Sequence, residues 1–317
     1  METYFVNADP SGELGAAALV RVALRGVAVY LVIDGVGTPA LSKDFASRFD
    51  QAGVKWQIYR PLGWLGLLIP DRWRRMHRKL CVVDGQIAFC GGINVLDDWH
   101  DPNYGRLAAP RFDFAVRVSG PLVRAVHEVM VQFWWRLQAA SSVKQIDLPA
   151  AWRDLEQAVK QSRLDRTDPD DGVTATSGHS AGTRAALLLR DNLRNRSRIE
   201  RAYRRAISDA RDEIIIANAY FVPGHKLRKA LIHAARRGVK VRLLLQGRYE
   251  YFMQFHAVRL VYGALLSAGI EIYEYSPSFL HDKVAATSGH GFTDRSSNAS
   301  TITVFQDRSS TMYSASP

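Results

Sequence analysis

His77, Lys79 and Asp84 share the segment MHRKLCVVDGQIAFCGGIN (76–94), which continues through Gly91 and Gly92 to Asn94. Apolar and β-branched residues surround an Asp84-Gly85 dipeptide, which predicts two strands joined by a tight turn. Side chains alternate along a strand, so His77 and Lys79 project from one face. An imidazole that can attack or carry a proton, beside a fixed cation, is half of a phosphate site. The other half stands at FLHDKVA (279–285), where His281 and Lys283 repeat the His-x-Lys spacing.

Two imidazoles and two ammonium groups in one pocket make the set that phosphodiester transfer needs. A neutral histidine attacks phosphorus and forms a covalent phosphohistidine. The second, protonated, gives its proton to the leaving alcohol and later deprotonates the incoming one. With ordinary pKa values near 6.5, the two can hold opposite protonation states at working pH. The lysines neutralise the non-bridging oxygens as charge develops. Asp84 is expected to orient its strand, and Asn94, behind the Gly91-Gly92 turn, to donate to a phosphate oxygen. No metal or other cofactor is required, and the sequence has no metal-binding cluster. Asp113, in the strand after the motif, has two readings: hydrogen-bonding support of the site, or a turn at the ladder's edge. His225, at a helix start, could touch a substrate headgroup or serve only as a solvated helix end.

The elements that position these groups come twice. GELGAAALVRVALRGVAVYLVIDG (12–35) aligns without a gap on GHKLRKALIHAARRGVKVRLLLQG (224–247), so that Arg25-Gly26-Val27 meets Arg237-Gly238-Val239 and Gly35 meets Gly247. Each copy reads as an amphipathic helix, a glycine stop and a buried strand. Ala52-Gly53-Val54 and Ala268-Gly269-Ile270 then open a further strand in each copy. Strands alternating with helices predict an α/β fold with a mixed sheet flanked by helices. The expected organisation is a first unit over 1–138, closed by the helix PLVRAVHEVMVQFWWRLQ, a partly flexible linker over 139–184, and a second unit over 185–317. The second unit should open on a strand (ALLLR), followed by the helix RSRIERAYRRAISDA and the strand EIIIANA. Tyr4-Phe5-Val6 matches Tyr220-Phe221-Val222, but only three residues precede it, so the first unit is expected to lack an opening helix and most of its first strand.

The formal charge of +11 suits a polyanionic partner: nucleic acid, an anionic lipid surface or a phosphorylated substrate. Cys81 and Cys90 are the only cysteines, spaced for packing in a reducing compartment rather than for a metal. No apolar run is long enough to span a bilayer, and no signal peptide is evident. PLGWLGLLIP (61–70), followed by DRWRRMHRK, could dip into an interface with Trp64 and Trp73 at headgroup level and Arg72, Arg74 and Arg75 on lipid phosphates.

The spacing His77-x-Lys79-x4-Asp84-x6-Gly91-Gly92-x-Asn94 resembles the HKD motif of the phospholipase D superfamily. MHRKLCVVDGQIAFCGGIN, FDFAVRVSGP (112–121), IIIANAYFVPG (214–224) and AARRGVKVRLLLQG (234–247) resemble segments of bacterial cardiolipin synthases. The resemblance implies two phospholipase D-like α/β/α sandwiches related by a pseudo-twofold axis, with the active site at their interface. It implies catalytic roles for His77, Lys79, Asp84, His281 and Lys283, and phosphate binding by Gly91, Gly92, Asn94 and Asn298. The implied reaction transfers a phosphatidyl group to phosphatidylglycerol at the cytoplasmic face of a bacterial membrane, with peripheral attachment and His77 as nucleophile. Against the pattern, the second motif has Ser288 where Asp is expected and Arg295 where Gly is expected, although Ser296-Ser297-Asn298 falls in register. From Thr287 the strand pattern is expected to dissolve, through a frame error or decay of the half-site. Two alternatives stand beside the transferase. One is a phosphodiesterase or nuclease of the same superfamily, disfavoured because no stacking platform for single strands is evident; the other is a decayed, membrane-binding remnant.

Overall fold

In the computed structural model, which describes residues 1–61, 75–144, 173–174, 185–188, 198–248, 259–281, 283–288 and 300–304, the repeat in sequence is a repeat in space. The first half runs β1 (Glu2–Thr3), α1 (Pro10–Leu24), β2 (Tyr30–Asp34), α2 (Lys43–Ala52), β3 (Lys55–Tyr59), β4 (Leu80–Val83) and β5 (Ile87–Gly91). A small ribbon of β6 (His100–Asp101) and β7 (Gly105–Arg106) follows, then β8 (Ala115–Ser119) and the long α3 (Leu122–Lys144). After a second ribbon, β9 (Val173–Thr174) with β10 (Ala186–Leu187), come α4 (Arg198–Asp209), β11 (Glu213–Asn218), α5 (His225–Arg236), β12 (Lys240–Gln246), α6 (Tyr262–Leu266), β13 (Glu271–Tyr275), β14 (Lys283–Ser288) and β15 (Ser300–Val304).

The two main sheets have one order, β3-β2-β1-β4-β5-β8 and β13-β12-β11-β14-β15. In each, the first three strands are parallel and the strand that follows the motif histidine turns antiparallel. Helix ends follow their chemistry. Asp9 caps α1 by accepting from the Gly12 amide, with Pro10 as the first helical residue. Gly26 and Gly238, the glycine stops of the repeat, both take positive φ (86° and 92°), where a side chain would be strained.

Alternation along β2 sorts the first core. Leu31 and Ile33 pack with Ala16 of α1 and Phe45 and Phe49 of α2, while Val32 faces Phe133 and Trp134 of α3 on the other side. Helices therefore cover both faces of the first sheet. In the second half, Ile214, Ile216, Val241, Leu243 and Leu245 pack against Ile207, Leu231, Ala234 and Leu265 of α4, α5 and α6. On the opposite face Ile215 and Tyr273 stay exposed among the described residues.

Several expectations change. The strand ALLLR shrinks to β10, which pairs with β9 and packs beside α3 instead of entering the main sheet. The closing helix α3 extends past Gln138 to Lys144, into the region read as linker. The strand pattern does not dissolve at Thr287: β14 pairs with β11 through Ser288, and β15 pairs with β14. Thr and Ser alternating with Ile302 and Val304 still suit an extended chain, since β-branched residues favour strands. The first strand is two residues long against six in β11. Both cysteines are free thiols. No described helix is long and apolar enough to cross a membrane, and Trp64, Trp73, Arg72 and Arg74 lie outside the described residues.

The short β1 is held by an ion pair. Glu2 meets the Arg78 guanidinium at 2.6 Å with both side chains almost fully buried, and that guanidinium lies 4.8 Å from the centre of the Phe133 ring. Removing one member of a buried pair leaves the other charged and desolvated. Glu2→Ala is therefore expected to lower unfolding free energy by about 3–5 kcal/mol in urea titrations. Arg48→Ala, which breaks a partly exposed pair with Glu13, is expected to move the urea midpoint far less in the same assay.

Candidate active site

His77 and Lys79 stand just before β4 begins at Leu80, in chain that the ladder already touches, since the Gly91 amide donates to the Lys79 carbonyl. Alternation puts the two side chains together and sends Arg78 the other way, toward α3. The Lys79 Nζ lies 3.3 Å from both ring nitrogens of His77. The Tyr4 ring packs on the same pair, 4.7 Å from the imidazole and 5.4 Å from the ammonium. In the second half Lys283 opens β14, and its ammonium lies 5.7 Å from the Tyr220 ring. Tyr4 and Tyr220 occupy matching places in the repeat, so each lysine rests on the tyrosine of its own half.

The halves meet at the second histidine. Phe112 donates its amide to the Phe279 carbonyl (2.9 Å) and accepts from the His281 amide (3.0 Å), a parallel bridge centred on Leu280. That bridge delivers Asp113, whose Oδ2 lies 2.9 Å from His281 Nδ1. Beside a carboxylate, Nδ1 carries the proton and donates, leaving Nε2 as the working nitrogen. The other oxygen, Asp113 Oδ1, accepts from the Phe114 amide. The two imidazoles then lie 6.0 Å apart, centre to centre, and tilted by 48°, near enough for one phosphate to touch both. Of the two readings for Asp113, the site-supporting one describes where it sits.

Electrostatically, the site is set for an anion. Burial lowers the His77 pKa well below 6.5, and Lys79, Lys283 and His281 push it the same way. Burial and Lys283 also hold the Lys79 ammonium well below its usual range, against the pull of Asp113 and Asp34. His281 is lowered to about 4, chiefly by burial, with the Asp113 hydrogen bond opposing that and the lysines adding to it. His77 has no carboxylate partner of that kind among the described residues.

Other expected site residues are placed differently. Asp84 does not reach the imidazoles: it occupies the β4–β5 turn, exposed, at φ 52°. Its short polar side chain tolerates that conformation, which explains the Asp-Gly pair without chemistry. Gly91 and Gly92 do not offer their amides to a phosphate, because these donate to the Lys79 and Phe114 carbonyls. They are glycines because β8 comes close: a Cβ on Gly91 would stand 2.3 Å from the Phe114 carbonyl, and one on Gly92 would stand 2.0 Å from Asp113 Oδ1. The glycine pair thus makes room for the carboxylate that holds His281. Asn94 is half-buried, its Oδ1 without a partner among the described residues. Asn298 and Arg295 lie outside the described residues. His225 starts α5, exposed. Tyr4 and Tyr220 were signalled in sequence only as the start of a repeated Tyr-Phe-Val.

An imidazole kept neutral by burial makes the fold acid-sensitive. Unfolded histidine takes up its proton near pH 6.5, while folded His281 does so only near 4, so stability is full above 6.5 and falls as pH drops toward 4. At pH 5 the His281 contribution to this loss is roughly 2 kcal/mol. In His281→Asn, the difference in urea midpoint between pH 7 and pH 5 is expected to shrink accordingly.

A family model described as "Cardiolipin synthase, PLD-like domain" matches residues 1–105 and 203–308, one match on each half. The chain is 36% identical to cardiolipin synthase B of Salmonella typhi over 298 residues, 94% of this chain and 66% of that protein. It is 30% identical to the cardiolipin synthase of Alkalihalophilus pseudofirmus over 286 residues, 90% of this chain and 51% of that one. The chain thus spans just under two thirds of the length of the first of these relatives and about half of the second. Among solved structures, phosphatidylserine synthase from Haemophilus influenzae Rd KW20 has a similar fold, with a TM-score of 0.53 at 9% identity over 90% of this chain and 69% of that chain. With two matching halves, one site between them and this extent of identity, the chain belongs to the cardiolipin synthase family of phospholipase D-like proteins.

Proposed function

We propose that the site transfers a phosphatidyl group from one phosphatidylglycerol to another, releasing glycerol, through a phosphohistidine on His77. The observation that carries this reading is the asymmetry of two imidazoles 6.0 Å apart: one lies beside Lys79 with no carboxylate partner among the described residues, the other is hydrogen-bonded to Asp113. A ring surrounded by cations stays neutral and keeps a lone pair for attack. A ring backed by a carboxylate takes the proton when an anionic substrate arrives.

The His77 ring nitrogen attacks phosphorus as the bond from phosphorus to the glycerol oxygen breaks. The proton on His281 Nε2 goes to that oxygen. A headgroup hydroxyl of the second phosphatidylglycerol then gives its proton to His281 and attacks phosphorus. The P–N bond breaks, His77 leaves as a free imidazole, and the product is cardiolipin. Lys79 and Lys283 hold the non-bridging oxygens throughout.

The loss of Asp at position 288 does not count against activity. Asp84, its counterpart in the first motif, is a turn residue away from the site. Ser288 is in strand register opposite Glu213, and its Oγ accepts from the Glu213 amide at 2.8 Å. Peripheral attachment to an anionic membrane belongs to the same proposal. A lipid substrate and a net charge of +11 both call for it.

Phosphatidylglycerol vesicles are expected to yield cardiolipin and free glycerol. His77→Ala and His281→Ala should each remove that turnover, and Asp113→Asn should lower kcat/KM by about 10²-fold or more at pH 7. Because His281 in the empty site binds its proton near pH 4, kcat/KM should rise steadily as pH is lowered from 8 to 5. Unchanged turnover in either alanine variant, or cleavage of DNA with no lipid product, overturns the reading.

A further inference from the structure

We infer that Asp34 and Gln246 are a matched pair of positioning residues, each pinning the backbone one residue ahead of a site histidine. The inference rests on the transfer reading only for its kinetic consequence; the geometry stands apart from it.

The two positions correspond. The gapless alignment that sets Gly35 on Gly247 sets Asp34 on Gln246, and they are the last residues of β2 and β12. The correspondence holds in space, because the Gly35 amide donates to the Tyr59 carbonyl (2.8 Å) and the Gly247 amide to the Tyr275 carbonyl (2.9 Å). From these matched strand ends, each side chain reaches across to the motif segment. Asp34 Oδ2 accepts from the Met76 amide at 2.6 Å, and Gln246 Oε1 accepts from the Leu280 amide at 3.0 Å. Met76 immediately precedes His77, and Leu280 immediately precedes His281.

Why side chains do this work follows from where the strands start. Met76 and Leu280 are each only 1% exposed, yet β4 begins at Leu80 and β14 at Lys283, so both amides lie ahead of a strand. A buried amide must find an acceptor, and here a side chain supplies it. Any acceptor would satisfy that need, but the residues used carry a penalty. Gln246 Nε2 is buried with no partner among the described residues, and Asp34 is a fully buried carboxyl group. An orphaned buried donor lowers stability, and so does a desolvated carboxylate, even one that also accepts from the Val36 amide. Unlike sequences have arrived at one device in both halves, at a cost in stability. That cost is intelligible if the return is the placement of each imidazole, where an error of about 1 Å can lower the rate 10²-fold.

The test reads the imidazoles directly. Ring titrations are followed by NMR, with His77 and His281 assigned through the His77→Asn and His281→Asn spectra. In Gln246→Leu, which removes the acceptor and the orphaned donor together, the His281 titration should move by about half a unit or more while His77 stays near wild type. Gln246→Glu, which restores an acceptor, should bring His281 back. Asp34→Ala should move His77 more than His281; should it fail to fold, the Gln246 pair of variants carries the test. On bis(4-nitrophenyl) phosphate, kcat of Gln246→Leu should fall by about 10- to 100-fold with KM within about two-fold. A folded Gln246→Leu whose His281 titrates as in wild type overturns the inference, as does an equal shift of both rings. If wild type fails to turn over the phosphodiester, the transfer reading falls, and the ring titrations still decide the pins.

Discussion

Phe112 grips the chain on either side of Leu280 with two backbone hydrogen bonds, and the site depends on that grip. The second histidine belongs to one half and its carboxylate to the other, separated by 168 positions in sequence. Neither half can set the His281 tautomer alone. The bridge brings Asp113 alongside the ring, and Gly92 leaves the carboxylate room, since any side chain there would collide with it. A glycine pair that looks in sequence like a phosphate loop is, in space, clearance for a neighbouring strand.

Crowding two lysines and two histidines into one buried place is unfavourable until something negative arrives. The protein tempers this unevenly. Asp113 sits directly on His281, while Asp34 acts on Lys79 from a distance and never touches His77. Asp113 therefore opposes the fall of the His281 pKa, while His77 has no carboxylate partner of that kind among the described residues. Tyrosine faces beneath both ammonium groups add a soft, uncharged counterweight. The division of labour between chemically identical side chains comes from their surroundings.

Beneath the chemistry lies a sheet whose central strand in the first half is only two residues long. Glu2 anchors that strand through Arg78, the residue between His77 and Lys79, whose guanidinium also stacks on Phe133 of α3. The motif segment is thus held from both faces: its odd residues make the site, and its even residue ties the sheet to the covering helix.

Much of this was legible in the residues. A gapless repeat, glycine stops confirmed at positive φ, and two His-x-Lys pairs defined two α/β units with one imidazole and one ammonium each. Local rules suffice for that, because helix periodicity, strand alternation and turn residues act over a few positions. The same rules misled where a residue type serves two purposes. Asp84 belongs to its turn, Gly91 and Gly92 belong to the approach of β8, and Ser- and Thr-rich chain after Thr287 still extends the sheet. What tertiary structure alone decided is which carboxylate meets which histidine. Asp113 on His281, and Asp34 and Gln246 ahead of the two rings, join positions 34 to 168 apart. No spacing in the sequence marks such partners, because a hydrogen bond reports distance in space, and only the packing of the two halves brings these groups within reach.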